Sequence, residues 1–249
     1  MLPPILKPEN IIEVCSRECN SNYTKYIAEI DKIVFCKCEK AIQTAFDSLV
    51  KFSNLPEKYK NISEKDLHEL DSDTSLAIAL DHIENLITSF KNNESPRGLY
   101  LYSGTGTGKT FLSCYTALEI IRQTQKSVYY SKFSRDFLQK IKSSWNDKML
   151  ESEEQIMNRH KKVDLLIIDE FGIGKTDSEK VGELIYDLID YRYEQNKTTI
   201  FTSNLSRDYF SNLSEGRITS RLHGMSTEIF LDRKDFRRAI WHKKKNWNF

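Results

Sequence analysis

The 249-residue chain lacks any apolar run that approaches the roughly 18 residues needed to cross a bilayer. It also lacks the basic, apolar and small-residue opening of a secretory leader. Lys and Arg together number 37 against 36 Asp and Glu, so there is no excess of positive charge that could coat nucleic acid over the whole surface. We therefore expect a cytoplasmic protein with no membrane partner, whose contacts with any polyanion are local.

A guanine-reading element is absent as well. Residues 169–172 spell the D-x-x-G pattern of GTPases, and a GTPase would also need an Asn-Lys-x-Asp element to recognise its base. Asn196 and Lys197 begin such an element, but Thr199 stands where its aspartate is required. This absence argues against guanine specificity.

A glycine-rich octapeptide lies between an apolar run at 98–102 and a helix-like run at 110–125. It consists of Ser103, Gly104, Thr105, Gly106, Thr107, Gly108, Lys109 and Thr110. The order strand, loop, helix is typical of a phosphate-binding loop, because glycines let successive N–H groups point at phosphate oxygens and the helix adds its positive N-terminal end. Lys109 is predicted to reach the β- and γ-phosphates of ATP, and the Thr110 hydroxyl to bind Mg²⁺. Ser103 replaces the first glycine of the strict pattern, a small departure because that position mainly turns the chain out of the strand.

Two adjacent carboxylates end the buried-strand pattern at 163–170. Asp169 is predicted to hold the Mg²⁺ shell, and Glu170 to orient and polarise the water that attacks the γ-phosphate. Together with the loop, this pair indicates ATP hydrolysis rather than phosphate transfer to a metabolite. A strand that merely ends in solvated acids is the alternative.

Most of the cysteines lie near the start of the chain, at Cys15, Cys19, Cys36 and Cys38. In a cytosolic protein this clustering favours a metal over disulfides, because thiolates can close a tetrahedral Zn²⁺ site that holds a short segment together. The intervals within the two pairs differ from the common two-residue spacing, so reduced and unligated thiols stay open as an alternative. Cys114, at helical spacing from apolar residues, is predicted to belong to the core.

The chain is predicted to consist of a cysteine-bearing unit at 1–52, a linker at 53–70 and an ATPase unit at 71–249. Strands are predicted at 98–102, 127–131, 163–169, 199–203 and 227–231, and a helix at 75–90 precedes them. Because helices alternate with these strands, we expect a parallel five-stranded α/β sheet. If the strand at 199–203 lies beside the loop strand, the Asn204 amide falls near the γ-phosphate; a turn-forming Asn is the alternative.

The connection between the second and third strands is longer than an ordinary one. Apolar residues at 133, 137, 138, 141 and 145 fall near one helical face of this insertion. Its other face carries Lys132, Arg135, Lys140 and Lys142, which either contact a nucleic-acid backbone or are simply solvated.

The loop, the acidic pair, the strand end at 202–204 and the Arg-Ile-Thr-Ser-Arg-Leu segment at 217–222 together resemble AAA+ ATPases of the initiator and helicase-loader branch. More narrowly, the chain resembles replicative helicase loaders of the DnaC/DnaI type and is similar to the IstB transposition ATPases. Short matches at 36–38, 55–59, 98–102 and 191–194 extend the likeness over nearly the whole chain. The resemblance implies a P-loop AAA+ (ASCE) sheet flanked by helices, without a full helical lid, after a small cysteine-rich N-terminal domain.

The resemblance also implies roles for particular residues. It makes Asn204 the sensor-1 residue, Arg221 the arginine finger that enters a neighbouring subunit's site, and Arg237 the sensor-2 arginine. Arg217 is a rival for the finger, and an ordinary surface charge is the alternative for Arg237. A guanidinium supplied in trans stabilises the negative charge that hydrolysis spreads over the γ-phosphoryl group, so turnover would depend on self-assembly into an ATP-dependent oligomer.

In the family, the N-terminal unit grips a hexameric replicative helicase, and the insertion after the second strand binds single-stranded DNA. By analogy, Lys132, Phe133 and Ser134 are the candidates for single-stranded DNA contact, through stacking and backbone contacts. A core position is the alternative for Phe133. Basic and aromatic residues between 233 and 249 offer a second surface for nucleic acid or a partner.

Three hypotheses for function follow. The first is an ATP-dependent loader of a hexameric replicative helicase onto single-stranded DNA. The second is an IstB-like transposition helper that acts with a transposase on duplex DNA. The third is a nucleotide-bound adaptor that never hydrolyses ATP, against which Glu170 argues.

Overall fold

The computed structural model describes residues 24–27, 32–35, 39–68, 73–146, 151–173 and 179–235. By the compactness of its contacts the chain divides into two units, Met1–Leu49 and Val50–Phe249. In the first unit, strands β1 (Thr24–Ile27) and β2 (Lys32–Phe35) pair in antiparallel fashion. Helix α1 follows at Glu39–Phe52, and its last three residues belong to the second unit.

Some predicted site residues lie outside the described ranges. They are Cys15, Cys19, Cys36, Cys38 and Arg237. Among the residues that the structure describes, no group of three or more His, Cys, Asp or Glu side chains could hold a metal ion. The zinc site therefore stays a prediction.

The second unit alternates strands with helices around one sheet. Its elements are a 3-10 turn (Glu57–Tyr59), α2 (Glu64–His68), α3 (Thr74–Lys91), β3 (Gly98–Tyr102), α4 (Lys109–Thr124), β4 (Val128–Lys132), a π-helix (Phe133–Gln139), α5 (Lys140–Ser144), α6 (Glu153–Lys162), β5 (Leu165–Asp169), α7 (Glu179–Glu194), β6 (Thr198–Ser203), a 3-10 segment (Arg207–Gly216), α8 (Arg217–Met225) and β7 (Ser226–Phe230). The strands lie in the order β4-β5-β6-β3-β7, and every neighbouring pair is parallel. The predicted parallel five-stranded sheet is confirmed, with small shifts at the strand ends.

The strand order determines where a ligand can bind. Strands β3 and β5 are buried along almost their whole length, as expected when helices cover both faces of a parallel sheet. After β3 the chain crosses over β6 and β5 to form β4 at the far edge, and it then returns through β5 and β6 towards β3, so the direction of strand addition reverses. Open α/β sheets bind ligands at the carboxyl ends of their strands, near such a reversal. The residues that follow β3, β6 and β5 therefore lie at one edge of the sheet.

The insertion after β4 packs into the core through most of its predicted apolar face. Phe133, Phe137, Leu138 and Ile141 are buried, whereas Trp145 is 38% exposed. Helix α6 begins with a capping box between Ser152 and Gln155. His160 ties this helix to β4, because its Nε2 lies 2.8 Å from the Ser131 hydroxyl oxygen. Burial lowers the pKa of His160 to about 4, so the imidazole is neutral at physiological pH.

Part of the segment predicted as a linker packs against the sheet unit. Leu55, Ile62 and Leu67 are buried. The Tyr130 main-chain N–H donates to the Ser53 carbonyl oxygen at 2.7 Å, and the Asn54 amide nitrogen donates to the Tyr130 carbonyl oxygen at 2.9 Å. These bonds satisfy the outer main-chain groups of the edge strand β4 at Tyr130.

Glycine at position 98 is required by the close approach of β3 and β6. A Cβ atom there would lie 1.8 Å from the Thr199 carbonyl oxygen, which cannot withdraw without separating the paired strands. We expect Gly98→Ala to lower the free energy of unfolding by about 3 kcal/mol, the cost of overpacking a tight site. Urea denaturation of the full-length protein measures this change.

Gly182 provides the matched control, because a Cβ atom at this position in α7 meets nothing within 4 Å. Gly182→Ala should raise the free energy of unfolding by about 0.5–1 kcal/mol through helix propensity alone. Equal effects of the two substitutions would contradict the proposed strand contact.

Candidate ATP-binding site

The glycine-rich loop joins β3 to α4 and curls around its own lysine. Gly106 and Gly108 have φ of +77° and +98°, values that favour glycine, and Gly108 caps the helix that begins at Lys109. The Lys109 ammonium donates to the carbonyl oxygens of Ser103 (3.0 Å) and Gly104 (2.5 Å) and to the Ser103 hydroxyl oxygen (3.1 Å). Ser103, the departure from the strict pattern, thus supplies a side-chain oxygen inside the loop that glycine could not.

The two residues predicted to hold Mg²⁺ are in contact. The Thr110 hydroxyl donates to Asp169 Oδ1 at 2.7 Å, and the Thr202 hydroxyl donates to the same oxygen at 2.6 Å. The Tyr130 hydroxyl donates to Asp169 Oδ2 at 2.7 Å. A hydroxyl and a carboxylate beside a phosphate-binding loop are the hard oxygen donors that Mg²⁺ takes when it binds with nucleotide, so the side chains present fit this ion.

Glu170 occupies a constrained position directly after β5. Its φ of 57° lies in the left-handed region that non-glycine residues seldom adopt, and such positions concentrate at functional sites. Its main-chain N–H donates to the Thr202 hydroxyl oxygen at 3.0 Å, which fixes the turn. Its carboxylate forms an ion pair with the Lys132 ammonium, with Oε1 2.9 Å from Nζ. The carboxylates of the two predicted acids therefore have different side-chain partners.

Asn204 lies at the end of the strand beside the loop strand, as its predicted role requires, and the contact with the γ-phosphate stays a prediction. It follows β6, which is paired with the loop strand β3, and its side chain is exposed at the carboxyl edge of the sheet. The Ser203 hydroxyl before it donates to the Phe171 carbonyl oxygen at 2.8 Å and accepts from the Leu205 N–H at 3.1 Å. These bonds fix the chain as it leaves the strand.

The two candidate finger arginines lie one turn apart on α8 and pack against α7. Arg221 Nε donates to Asp190 Oδ1 at 2.6 Å, and its guanidinium lies 4.8 Å from the centroid of the Tyr193 ring. The hydrogen bond to Asp190 raises the pKa of Arg221 above its ordinary value. Arg217 lies over the Tyr186 ring at 4.9 Å. Each arginine thus has a partner on α7 of its own chain.

The three candidate DNA residues have different environments. Lys132 is partly exposed and pairs with Glu170, and Ser134 is half-buried. Phe133 is only 2% exposed and packs edge-on against Phe171, with centroids 5.1 Å apart. The Phe133 ring therefore belongs to the hydrophobic core in this conformation, the alternative that the sequence left open, and DNA contact at 132–134 stays a prediction.

A family model described as IstB-like ATP binding protein matches residues 11–222 of the chain. The chain belongs to this family. The replicative helicase loader DnaI of Bacillus subtilis (strain 168) is 29% identical over 137 residues, which make up 55% of this chain and 42% of that loader. The ATP-binding protein of insertion sequence IS232 from Bacillus thuringiensis subsp. berliner is 27% identical over 186 residues, 75% of this chain and 69% of that protein.

Solved structures agree on the fold. The crystal structure of the DnaC helicase loader matches 71% of this chain and 100% of that one, with a TM-score of 0.60 and 22% identity. The IstB-like chain therefore has the P-loop AAA+ fold that the sequence predicts. None of the helices in its described part combines the length and apolar character that crossing a bilayer requires.

Two contacts near the glycine-rich loop and Asp169 could not be predicted from the sequence. Tyr130 looks like an apolar strand residue, yet its hydroxyl reaches Asp169. The segment after β7 returns to the loop, where the Asp235 carboxylate packs against Gly106. A Cβ atom added to Gly106 would lie only 1.8 Å from Asp235 Oδ1. In the same segment the Arg233 side chain is almost fully buried and pairs with Asp73, the cap of α3.

Proposed function

We propose that the chain hydrolyses ATP to control the loading of a hexameric replicative helicase onto single-stranded DNA. One observation carries the ATPase part: the Thr110 hydroxyl meets Asp169 at 2.7 Å, at the start of the loop helix, and Glu170 follows directly. The loading part draws on the Bacillus subtilis relative, which is a replicative helicase loader.

The chemistry divides among the residues of the site. The N–H groups of the loop and the Lys109 ammonium bind the phosphates, and Thr110 with Asp169 would hold Mg²⁺. When bound, Mg²⁺ neutralises charge on the β- and γ-phosphates. Glu170 orients the attacking water, Asn204 contacts the γ-phosphate, and Arg221 of a neighbouring subunit stabilises the charge that develops in the transition state.

The loading function is tested by mixing the full-length chain with the cognate hexameric helicase and circular single-stranded DNA. Helicase retained on the circles after gel filtration should require both the chain and ATP. Absence of co-elution of chain and helicase, with and without ATP, would reject the loader hypothesis.

A second candidate is a transposition helper, favoured by the family match and by the IS232 relative, which aligns with more of this chain than the loader does. It predicts tighter binding to duplex than to single-stranded DNA of the same sequence. Fluorescence anisotropy with both DNAs, in the presence of a non-hydrolysable ATP analogue and with a transposase added, separates the two candidates.

The Lys132–Glu170 ion pair suggests how DNA could control hydrolysis. Both side chains are about one third exposed, and an ion pair this exposed contributes at most about 1 kcal/mol. A DNA phosphate can therefore compete for Lys132. We infer that the pair holds Glu170 away from the attacking water until DNA takes over the lysine.

Lys132→Met should therefore raise the DNA-free rate of ATP hydrolysis about fivefold, the equivalent of about 1 kcal/mol in the barrier. It should also remove stimulation by DNA. Steady-state ATPase assays with and without single-stranded DNA measure both effects. Lys140→Met removes an exposed charge from the same insertion and should leave the DNA-free rate unchanged. A Lys132→Met protein with the wild-type DNA-free rate would show that the pair does not restrain Glu170.

A further inference from the structure

Strand β4 contributes a buried phenol to the acidic end of β5. The register pairs Tyr130 with Ile167 and Lys132 with Asp169, so the Tyr130 side chain reaches diagonally along the sheet face to the end of β5. Its hydroxyl donates to Asp169 Oδ2 at 2.7 Å, and both residues are 3% exposed. The contact is therefore shielded from solvent.

The Asp169 carboxylate is held by hydroxyl donors from three different elements. Thr110 on α4 and Thr202 on β6 donate to Oδ1, whereas Tyr130 on β4 donates to Oδ2. The two oxygens thus have distinct partners among these three hydroxyls, and Tyr130 donates to Oδ2.

The main chain at Tyr130 is itself fixed from outside the sheet. Its N–H donates to the Ser53 carbonyl oxygen, and its carbonyl oxygen accepts from the Asn54 side chain. Asn54 adopts a φ of 56°, a conformation that asparagine tolerates better than most residues. Tyr130 therefore connects the segment after α1 with the carboxylate at the nucleotide site.

We propose that Tyr130 is a positioning residue that sets the orientation of Asp169, and hence the affinity of the ATP-bound protein for its divalent cation. The inference rests on the proposed ATPase function. Hydrogen-bond partners behind a metal ligand typically change metal affinity by about 10- to 100-fold when removed, because the ligand then samples other orientations. Tyr130 should accordingly affect metal affinity, while the loop residues that bind the phosphates keep their nucleotide affinity.

The test uses Tyr130→Phe in the full-length protein, with Mn²⁺ as a spectroscopic substitute for Mg²⁺. Bound and free Mn²⁺ are measured by electron paramagnetic resonance in the presence of saturating non-hydrolysable ATP analogue. We expect about tenfold weaker Mn²⁺ binding, with nucleotide affinity changed less than twofold. In the ATPase assay, the Mg²⁺ concentration for half-maximal rate should rise in parallel.

Tyr100→Phe is the matched control. Tyr100 is a fully buried tyrosine on β3 whose hydroxyl donates to the Leu205 carbonyl oxygen at 2.9 Å, so the variant also loses a buried phenol hydrogen bond but does not affect Asp169. Thermal melting of both variants checks that the stability lost is similar. Equal Mn²⁺ affinities for Tyr130→Phe and Tyr100→Phe would overturn the positioning role.

The outcomes also separate this inference from the proposed function. A wild-type protein that binds Mn²⁺ with nucleotide but hydrolyses no ATP removes the ATPase proposal, and the Mn²⁺ affinities still decide the role of Tyr130. A wild-type protein that hydrolyses ATP, with an unchanged Mn²⁺ affinity in Tyr130→Phe, removes this inference alone. A wild-type protein that binds no Mn²⁺ with nucleotide overturns both.

Discussion

Glu170→Gln is expected to reduce ATP hydrolysis by about 10²- to 10⁴-fold, the contribution of a positioned general base, and to leave ATP binding intact. The amide is nearly isosteric but carries no charge with which to polarise the attacking water. The loop and Asp169, which we propose to hold the triphosphate and its metal, are not changed. Single-turnover hydrolysis and calorimetric ATP binding measure the two quantities separately.

Glu194→Gln is the control for this substitution, because Glu194 is an exposed glutamate at the end of α7. It should hydrolyse ATP at the wild-type rate. If Glu170→Gln also keeps the wild-type rate, the water is oriented by another group. If the wild-type protein itself shows no hydrolysis with DNA and helicase supplied, the adaptor hypothesis replaces the enzyme.

Local patterns were sufficient to predict the sheet and the loop. A parallel strand buried on both faces is recognisable as a short apolar run, as at 98–102 and 165–169, because no alternation is needed when helices cover both sides. The loop is recognisable because its conformation requires glycine at particular backbone positions, as the positive φ of Gly106 and Gly108 shows. The acidic pair was predictable for a similar reason, since it directly ends a buried strand.

Contacts between distant parts of the chain could not be predicted in the same way. Lys132 reaches Glu170, and Tyr130 reaches Asp169, only because β4 and β5 are paired in one particular register. Arg192 looks like an ordinary helix-surface charge, yet it is 1% exposed and donates to main-chain oxygens of His160, Val163 and Thr198. Phe133 was ambiguous for the same reason, because helical spacing shows which residues share a face but not what covers that face.

Arg221→Ala is expected to lower assembly-stimulated ATP hydrolysis by about 10³-fold or more, the range known for arginine fingers supplied in trans. ATP binding should remain, because the loop of the same subunit is not altered. The dependence of the rate on protein concentration provides the measurement: the wild-type rate per subunit should rise as subunits assemble, and the variant rate should stay flat.

Asp190→Asn separates the finger role from the ion pair within the chain. This variant removes the charge that holds Arg221 on α7 but keeps the guanidinium, so stimulated hydrolysis should be retained or increased. Loss of stimulation in both variants would mean that the Asp190–Arg221 pair matters for the packing of α7 and α8 rather than for chemistry. Arg217→Ala tests the rival on the same helix.

Mixing two inactive variants decides whether the arginine acts in trans. Glu170→Gln subunits have a disabled site but an intact Arg221, and Arg221→Ala subunits have an intact site but no finger. In a mixed assembly, the site of an Arg221→Ala subunit receives the arginine of a Glu170→Gln neighbour, so hydrolysis should reappear although neither variant hydrolyses ATP alone. An arginine that acted within its own subunit would leave the mixture as inactive as its components, and recovery with Arg217→Ala in place of Arg221→Ala would transfer the role to that residue.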